Sequence, residues 1–233
     1  MPKRYVPFVL ILMTAFMSAC VLSTGYHKKD GTYVYATSDE GQGYVEHPLE
    51  NVHPESFQIL NKHGYAKDDL HVYYHENIVL GADPKSFMEM TELYGRDIDH
   101  VYYEFKTIPG ADPASFTLLN IQWGKDSLDV YRQDRPLDAC DPATFVFLED
   151  GWERDSQCVY RETGKLPDAD PASFVVLNDW FGKDKNHVYS YIPSIIEGAD
   201  PATFKIRGAC VVCGEDKNGC YKNDEPVDCE TLK

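Results

Sequence analysis

Asp112-Pro113-Ala114-Ser115-Phe116 decides the fold, because the same five-residue pattern returns at a nearly constant interval. Asp83-Pro84-Lys85-Ser86-Phe87 stands 29 residues before it. Asp141-Pro142-Ala143-Thr144-Phe145, Asp170-Pro171-Ala172-Ser173-Phe174 and Asp200-Pro201-Ala202-Thr203-Phe204 follow at steps of 29, 29 and 30. A fainter copy, His53-Pro54-Glu55-Ser56-Phe57, lies upstream, and Asp228-Cys229-Glu230-Thr231-Leu232 reads as a decayed copy at the far end. Self-similarity at such a period marks stacked supersecondary units, each burying its apolar face against its neighbours.

Between successive turns the residues follow one order. An aromatic, usually a small residue, a base and an aspartate come first, as in Tyr94-Gly95-Arg96-Asp97, Trp123-Gly124-Lys125-Asp126 and Phe181-Gly182-Lys183-Asp184. Four residues after that aspartate stands a Val-Tyr pair, at Val72-Tyr73, Val101-Tyr102, Val130-Tyr131, Val159-Tyr160 and Val188-Tyr189. Short runs of Val, Tyr and Ile bounded by turn residues are strand signals. Asp before Pro starts a helical turn, because the carboxylate accepts free N–H groups and Pro tolerates having none. The expected protein is therefore mainly β. It is an array of about six 29-residue repeats, each of about three short antiparallel strands plus one Asp-Pro helical turn. Whether the array is an open stack or a closed ring stays undecided.

Comparing the copies separates core from surface. The first Tyr of the pair recurs at 73, 102, 131, 160, 189 and 221, and the turn Phe at 57, 87, 116, 145, 174 and 204. The aromatic before the small residue is Tyr65, Tyr94, Trp123, Trp152 and Phe181, and then becomes Cys213. Three ladders should thus run through the core, with Cys213 marking a terminal cap. The residue after the fixed Tyr varies, as Tyr74, Tyr103, Arg132, Arg161, Ser190 and Lys222. Alternation along a strand assigns it to a solvated face. Tyr74, Tyr103, Arg132 and Arg161 are the candidate binding face, since aromatic and Arg side chains anchor most interfaces.

The N-terminus reads as an address. Lys3 and Arg4 precede an apolar stretch from Tyr5 to Met17, too short to span a bilayer but suited to an export signal. Met17-Ser18-Ala19-Cys20 resembles the lipobox of bacterial lipoproteins, which makes Cys20 the expected lipidation site. Val21 in place of Asp then favours an outer-membrane destination. Removing residues 1–19 lowers the basic residues from 22 to 20 against 38 acidic ones, a formal charge of −18. A nucleic-acid binder needs a basic footprint, so that class is excluded. Six cysteines remain: Cys140, Cys158, Cys210, Cys213, Cys220 and Cys229. An even number suits disulfides in an oxidising compartment. Proximity favours Cys140 with Cys158, leaving the last four to pair among themselves. A redox or metal role for Cys210-Val211-Val212-Cys213 is the lesser reading, for no second CxxC or His pair stands at ligand spacing.

The string Asp184-Lys185-Asn186-His187-Val188-Tyr189 resembles the signature of the DKNYY family of bacterial envelope proteins. Asp216-Lys217-Asn218 matches its start, and Tyr73-Tyr74 and Tyr102-Tyr103 keep its double Tyr. The resemblance runs over roughly residues 50–232. It departs in the third and fourth units, where Asp129 and Cys158 replace His and Arg follows the Tyr. It implies an envelope address and a repeat architecture but carries no activity with it.

Chemistry is scarce in the sequence. There is no Gly-rich phosphate loop, nucleophile elbow or paired-His zinc motif. His71, His100 and His187 read as polar caps on strands. Asp68, Asp97, Asp126, Asp155, Asp184 and Asp216 read as acceptors for backbone N–H groups in their own turns, with a calcium site the lesser reading. No catalytic residue, metal ligand or cofactor is assigned, and no enzyme activity is expected. The expected organisation is a lipoprotein signal peptide over 1–19, a tether and partial first repeat over 20–48, the repeat array over 49–207 and a Cys-rich cap over 208–233. The expected function is a lipid-anchored envelope protein acting as a binding or scaffold module, with an envelope protein as partner and the lipid as its membrane contact. The alternatives are a periplasmic inhibitor or immunity protein against a basic toxin or enzyme, and cell-wall carbohydrate binding through exposed aromatics.

Overall fold

A computed structural model describes residues 24–232 apart from positions 42, 163 and 209. The expected signal peptide and Cys20 lie outside the described residues. The described residues fold into seven small antiparallel sheets, one ahead of the array and one for each of six units. Unit two is representative. Its strands Met88–Glu89, Tyr94–Arg96, Val101–Tyr103 and Lys106–Thr107 pair in chain order as a meander. Unit one covers residues 58–78, unit three 117–136, unit four 146–165, unit five 175–190 and unit six 205–227. Most units thus have four strands, one more than the sequence suggested. The extra pairing is only two residues long and recruits the stretch after the turn Phe, too short to carry a period of its own.

Each Asp-Pro-x-Ser/Thr-Phe segment is a single turn, a 3₁₀ helix at Pro142–Thr144. Its fourth residue closes the turn on its first. Ser86 Oγ donates to Asp83 Oδ2 at 2.6 Å, Thr144 Oγ1 to Asp141 Oδ2 at 2.7 Å and Thr203 Oγ1 to Asp200 Oδ2 at 2.6 Å. This is why only Ser or Thr occurs there.

The core lies between sheets. Tyr65, Val72, Tyr74 and Val79 of unit one pack on Phe87 and Tyr102 of unit two, and the same set recurs at each seam to Phe181, Val188 and Ile196 against Phe204 and Tyr221. Each sheet of units one to five therefore has two packed faces. The front face carries the aromatic, the Val and the residue after the fixed Tyr. The back face carries the fixed Tyr and, in units two, three, five and six, a glycine beneath the turn Phe. A Cβ on Gly95 would stand 2.3 Å from Phe87 Cζ, and one on Gly214 would stand 2.1 Å from Phe204 Cζ. Each end of the array has its own closure.

Residues 25–48 are not a tether. Strands Gly25–Lys29, Thr32–Asp39 and Gly43–Pro48 form a three-stranded sheet. Tyr26, Tyr35 and Leu49 cover Ala66 and Tyr73 on the back of unit one. Aromatics in alternation would otherwise be exposed there, so the segment folds onto the first unit as its cap. At the other end the front-face positions become Cys213, Cys220 and Lys222, closed by the Cys210–Cys213 and Cys220–Cys229 disulfides. Cys140–Cys158 is the third bridge.

Candidate functional site

The repeated aspartate is the centre of each unit's polar network. In unit two, Asp97 Oδ1 accepts from the N–H groups of Asp99 at 2.8 Å and His100 at 2.7 Å. Its Oδ2 accepts from the Asp83 N–H at 2.9 Å and the Tyr102 hydroxyl at 2.8 Å. Asp68, Asp126, Asp155 and Asp184 repeat the set. The expected Asx-type acceptance is present, and two further donors join it, one from the Asp-Pro turn and one from the fixed Tyr. Burial pushes the Asp97 carboxyl upward, but its four donors outweigh that and hold it below the ordinary carboxylate range. Asp68 and Asp184 are lowered in the same way. The Tyr102 hydroxyl is correspondingly raised, first by burial and then by the bond to Asp97. His71 and His187 lie beside this network, their Nδ1 atoms 3.4 and 3.3 Å from the hydroxyls of Tyr73 and Tyr189.

The base before each aspartate, to which the sequence reading gave no role, fastens one unit to the next. Lys67 Nζ donates to Pro84 O at 2.8 Å, Arg96 Nη1 to Pro113 O at 2.7 Å and Lys125 Nζ to Pro142 O at 3.1 Å. Arg154 Nη1 donates to Pro171 O at 2.6 Å and Lys183 Nζ to Pro201 O at 2.8 Å. Each cation thus caps carbonyls of the following unit's Asp-Pro turn. In unit six the position is Glu215, which pairs with Lys205 and Arg207, and Arg207 Nη2 donates at 3.1 Å to Cys229 O in the last turn, Cys229–Thr231.

The candidate binding face of Tyr74, Tyr103, Arg132 and Arg161 is a correction. Tyr74 is 4% exposed, Tyr103 9% and Arg161 6%, and Arg132 is half-buried. Alternation along a strand gives one solvated face only where one face has no neighbour, and here the next unit covers it. The register pairs each of these residues with its unit's aromatic: Tyr65 with Tyr74, Tyr94 with Tyr103, Trp123 with Arg132 and Trp152 with Arg161. The tyrosines meet edge to face at 5.1 and 5.0 Å. The arginines lie over their tryptophans at 5.7 and 5.2 Å, so Arg enters the seam where Trp does. Arg132 also bonds Glu162 at 2.9 Å, and Arg161 donates to the carbonyls of Gly151 and Asp179.

Unit four is the odd unit. Glu153 occupies the glycine position, opposite Tyr160 and buried against unit three. Burial raises its carboxyl to about 8, more than the positive charges of Arg161 and Arg132 lower it. At neutral pH it is chiefly protonated. Among the described residues no group of three or more His, Cys, Asp and Glu is placed to hold a metal ion.

What faces solvent is a different column. Met88, Val146 and Val175, 29 residues apart or a multiple of it, start the first strand of units two, four and five and are 59, 45 and 52% exposed. Met88 shares a groove with Ile98, Asp97 and Pro113. Sequence reasoning missed this column. Its signal, an apolar residue directly after the turn Phe, is present in only three of the six copies, the others having Gln58, Thr117 and Lys205.

The six-fold geometry agrees with the family comparison, in which the DKNYY family model matches residues 10–106 and 94–225. The chain belongs to the DKNYY family. No curated protein and no solved structure matches it. Within this DKNYY protein, the family string Asp184-Lys185-Asn186 is the acceptor and first loop residues of one polar network, and the Tyr after it is that network's buried donor.

Proposed function

We propose that the protein is a lipid-anchored module of the bacterial envelope that binds a partner protein along one edge of its repeat stack. The observation that carries this reading is the exposed apolar column of Met88, Val146 and Val175. Exposed apolar residues scattered singly need no explanation, but these share one position in units two, four and five, with Thr117 between them in unit three, and lie along one edge that suits an extended partner. The 38 acidic residues against 22 basic ones favour a partner that pairs apolar anchors with basic flanks. That same imbalance supports a second reading, in which the partner is a basic toxin or enzyme held inactive.

In-cell crosslinking of the tagged protein followed by mass spectrometry tests this. One dominant partner is expected, lost in a Met88→Glu/Val146→Glu/Val175→Glu variant that keeps its fold because all three side chains are exposed. An unchanged partner list in that variant overturns the reading. Fractionation of a Cys20→Ser variant tests the anchor, with release from the membrane fraction expected.

A further inference from the structure

The last hairpin of unit five is one residue longer than its counterparts, and a cleft stands beside it. Val101 to Ile108 spans seven positions, and Val130 to Leu137 and Val159 to Leu166 do the same, whereas Val188 to Ile196 spans eight. The second residue of each pair donates its N–H to the carbonyl of the first at 2.8 Å, so the positions correspond. The additional residue of unit five therefore sits in the hairpin after Ser190. The fourth strand is lost with it, leaving a three-stranded sheet and one isolated bridge from Tyr189 to Ile195. Insertions in repeat proteins map to loops on one face, often the one that binds.

This widened hairpin carries Tyr191 and Ile192 outward. Tyr191 meets Trp180 at 4.9 Å, and with Ser190, Ile192 and the unit-six hairpin tip, Asn223 and Asp224, they line a cleft of about 260 Å³. Ser190 holds the loop by donating to Ile192 O at 2.7 Å. The lining therefore has an aromatic wall, one carboxylate and one amide. Mostly apolar walls with a few placed polar groups are the make-up of small-molecule sites.

Charge narrows the ligand. The Arg161 guanidinium lies 5.0 Å from the Tyr191 ring centroid, a fixed positive charge behind that wall. A ligand cation stacking on the same ring would be repelled by it. An anion would meet Asp224 at the rim. A neutral ligand with a C–H face for Trp180 and Tyr191 and hydroxyls for Asp224 and Asn223 meets neither obstacle.

We infer that the Trp180–Tyr191–Asp224 cleft binds a neutral pyranoside sugar. The site is separate from the apolar column and does not depend on it. It also moves the carbohydrate expectation away from Tyr74 and Tyr103, which the seams bury.

Of the three tryptophans, Trp123 and Trp152 are buried and Trp180 is half-buried, so emission reports on the cleft. The full chain is titrated separately with an N-acetylglucosamine trisaccharide, with maltotriose and with a hexa-arginine peptide. A saturable emission change with either trisaccharide is expected, with the same affinity at low and high salt. Which of the two binds more tightly separates an N-acetylated wall glycan from a plain glucan as the source. Asp224→Ala, at the rim and clear of Arg161, should weaken it about tenfold or more, and Tyr191→Ala should abolish it. Silence with both sugars, a sugar response that Asp224→Ala leaves intact, or a salt-sensitive response to the peptide alone overturns the inference.

Discussion

Units two and six are built on the same backbone meander and differ on one face only. Both keep the turn Phe, the glycine beneath it and the buried Tyr, at Phe87, Gly95 and Tyr102 and at Phe204, Gly214 and Tyr221. On the front, unit two has Tyr94, Val101 and Tyr103 where unit six has Cys213, Cys220 and Lys222. Arg96, which reaches forward into unit three, becomes Glu215, which stays within unit six. The back face is thus written for the preceding unit and the front face for the following one. Unit six changes only the half that, among the described residues, meets the Cys229–Thr231 turn in place of another sheet.

The largest expected break of that contrast is at the disulfides. Cys220→Ser with Cys229→Ser should cost about 2–5 kcal/mol and expose unit six to hydrogen exchange, while unit two keeps its protection. Loss of protection throughout the chain would show that the array unfolds as one block.

Next comes the polar network. Asp97→Asn removes a carboxylate holding four donors and should cost about 2–3 kcal/mol in urea unfolding. Asp216→Asn should cost about 1, because Asp216 is less buried and its Tyr221 contact is 3.4 Å. Equal costs would mean that the terminal network is as tight as the interior one. The depressed carboxyls of Asp68, Asp97 and Asp184 add a pH term. Their contribution is present above the unfolded-state value and is lost as pH falls through the folded one.

Glu153 has the opposite sign. Its carboxyl is raised to about 8, so the folded chain binds the extra proton and stability falls as pH rises from about 4.3 toward 8. Glu153→Gln should stabilise by roughly 2 kcal/mol at pH 9 and hardly at all at pH 4. A pH-independent difference between the two proteins would refute the buried-acid account. The smallest effect is at the fasteners. Arg96→Met should cost about 1 kcal/mol, and Glu215→Gln less than about 0.5, since only Arg96 crosses a seam.

Much of this was legible in the sequence. The period, the turn chemistry of Asp, Pro and Ser/Thr, the buried Tyr ladder, the Cys140–Cys158 pair and the terminal cap all follow from local rules or from comparing copies. The inversion of Tyr74 and Tyr103 has a physical cause. Strand alternation says which residues share a face, but not how many faces are covered. A better signal was present in the two variable positions taken together, because Tyr goes with Tyr, Trp with Arg and Cys with Lys. Residues that change in step across neighbouring strands touch each other. The Trp180 cleft was hidden for another reason. Its residues come from two units and an insertion, so nothing within a single copy announces it.

The forward-reaching cations give the molecule a direction. Each unit holds the turn of the one after it, and none of the five reaches back. Pulled from its C-terminus, the chain should peel unit by unit, every step releasing one turn from the cation before it and leaving the remainder zipped. A partner that tugs on the free end would then be met by a series of small, similar yields rather than a single rupture, the behaviour of a shock absorber.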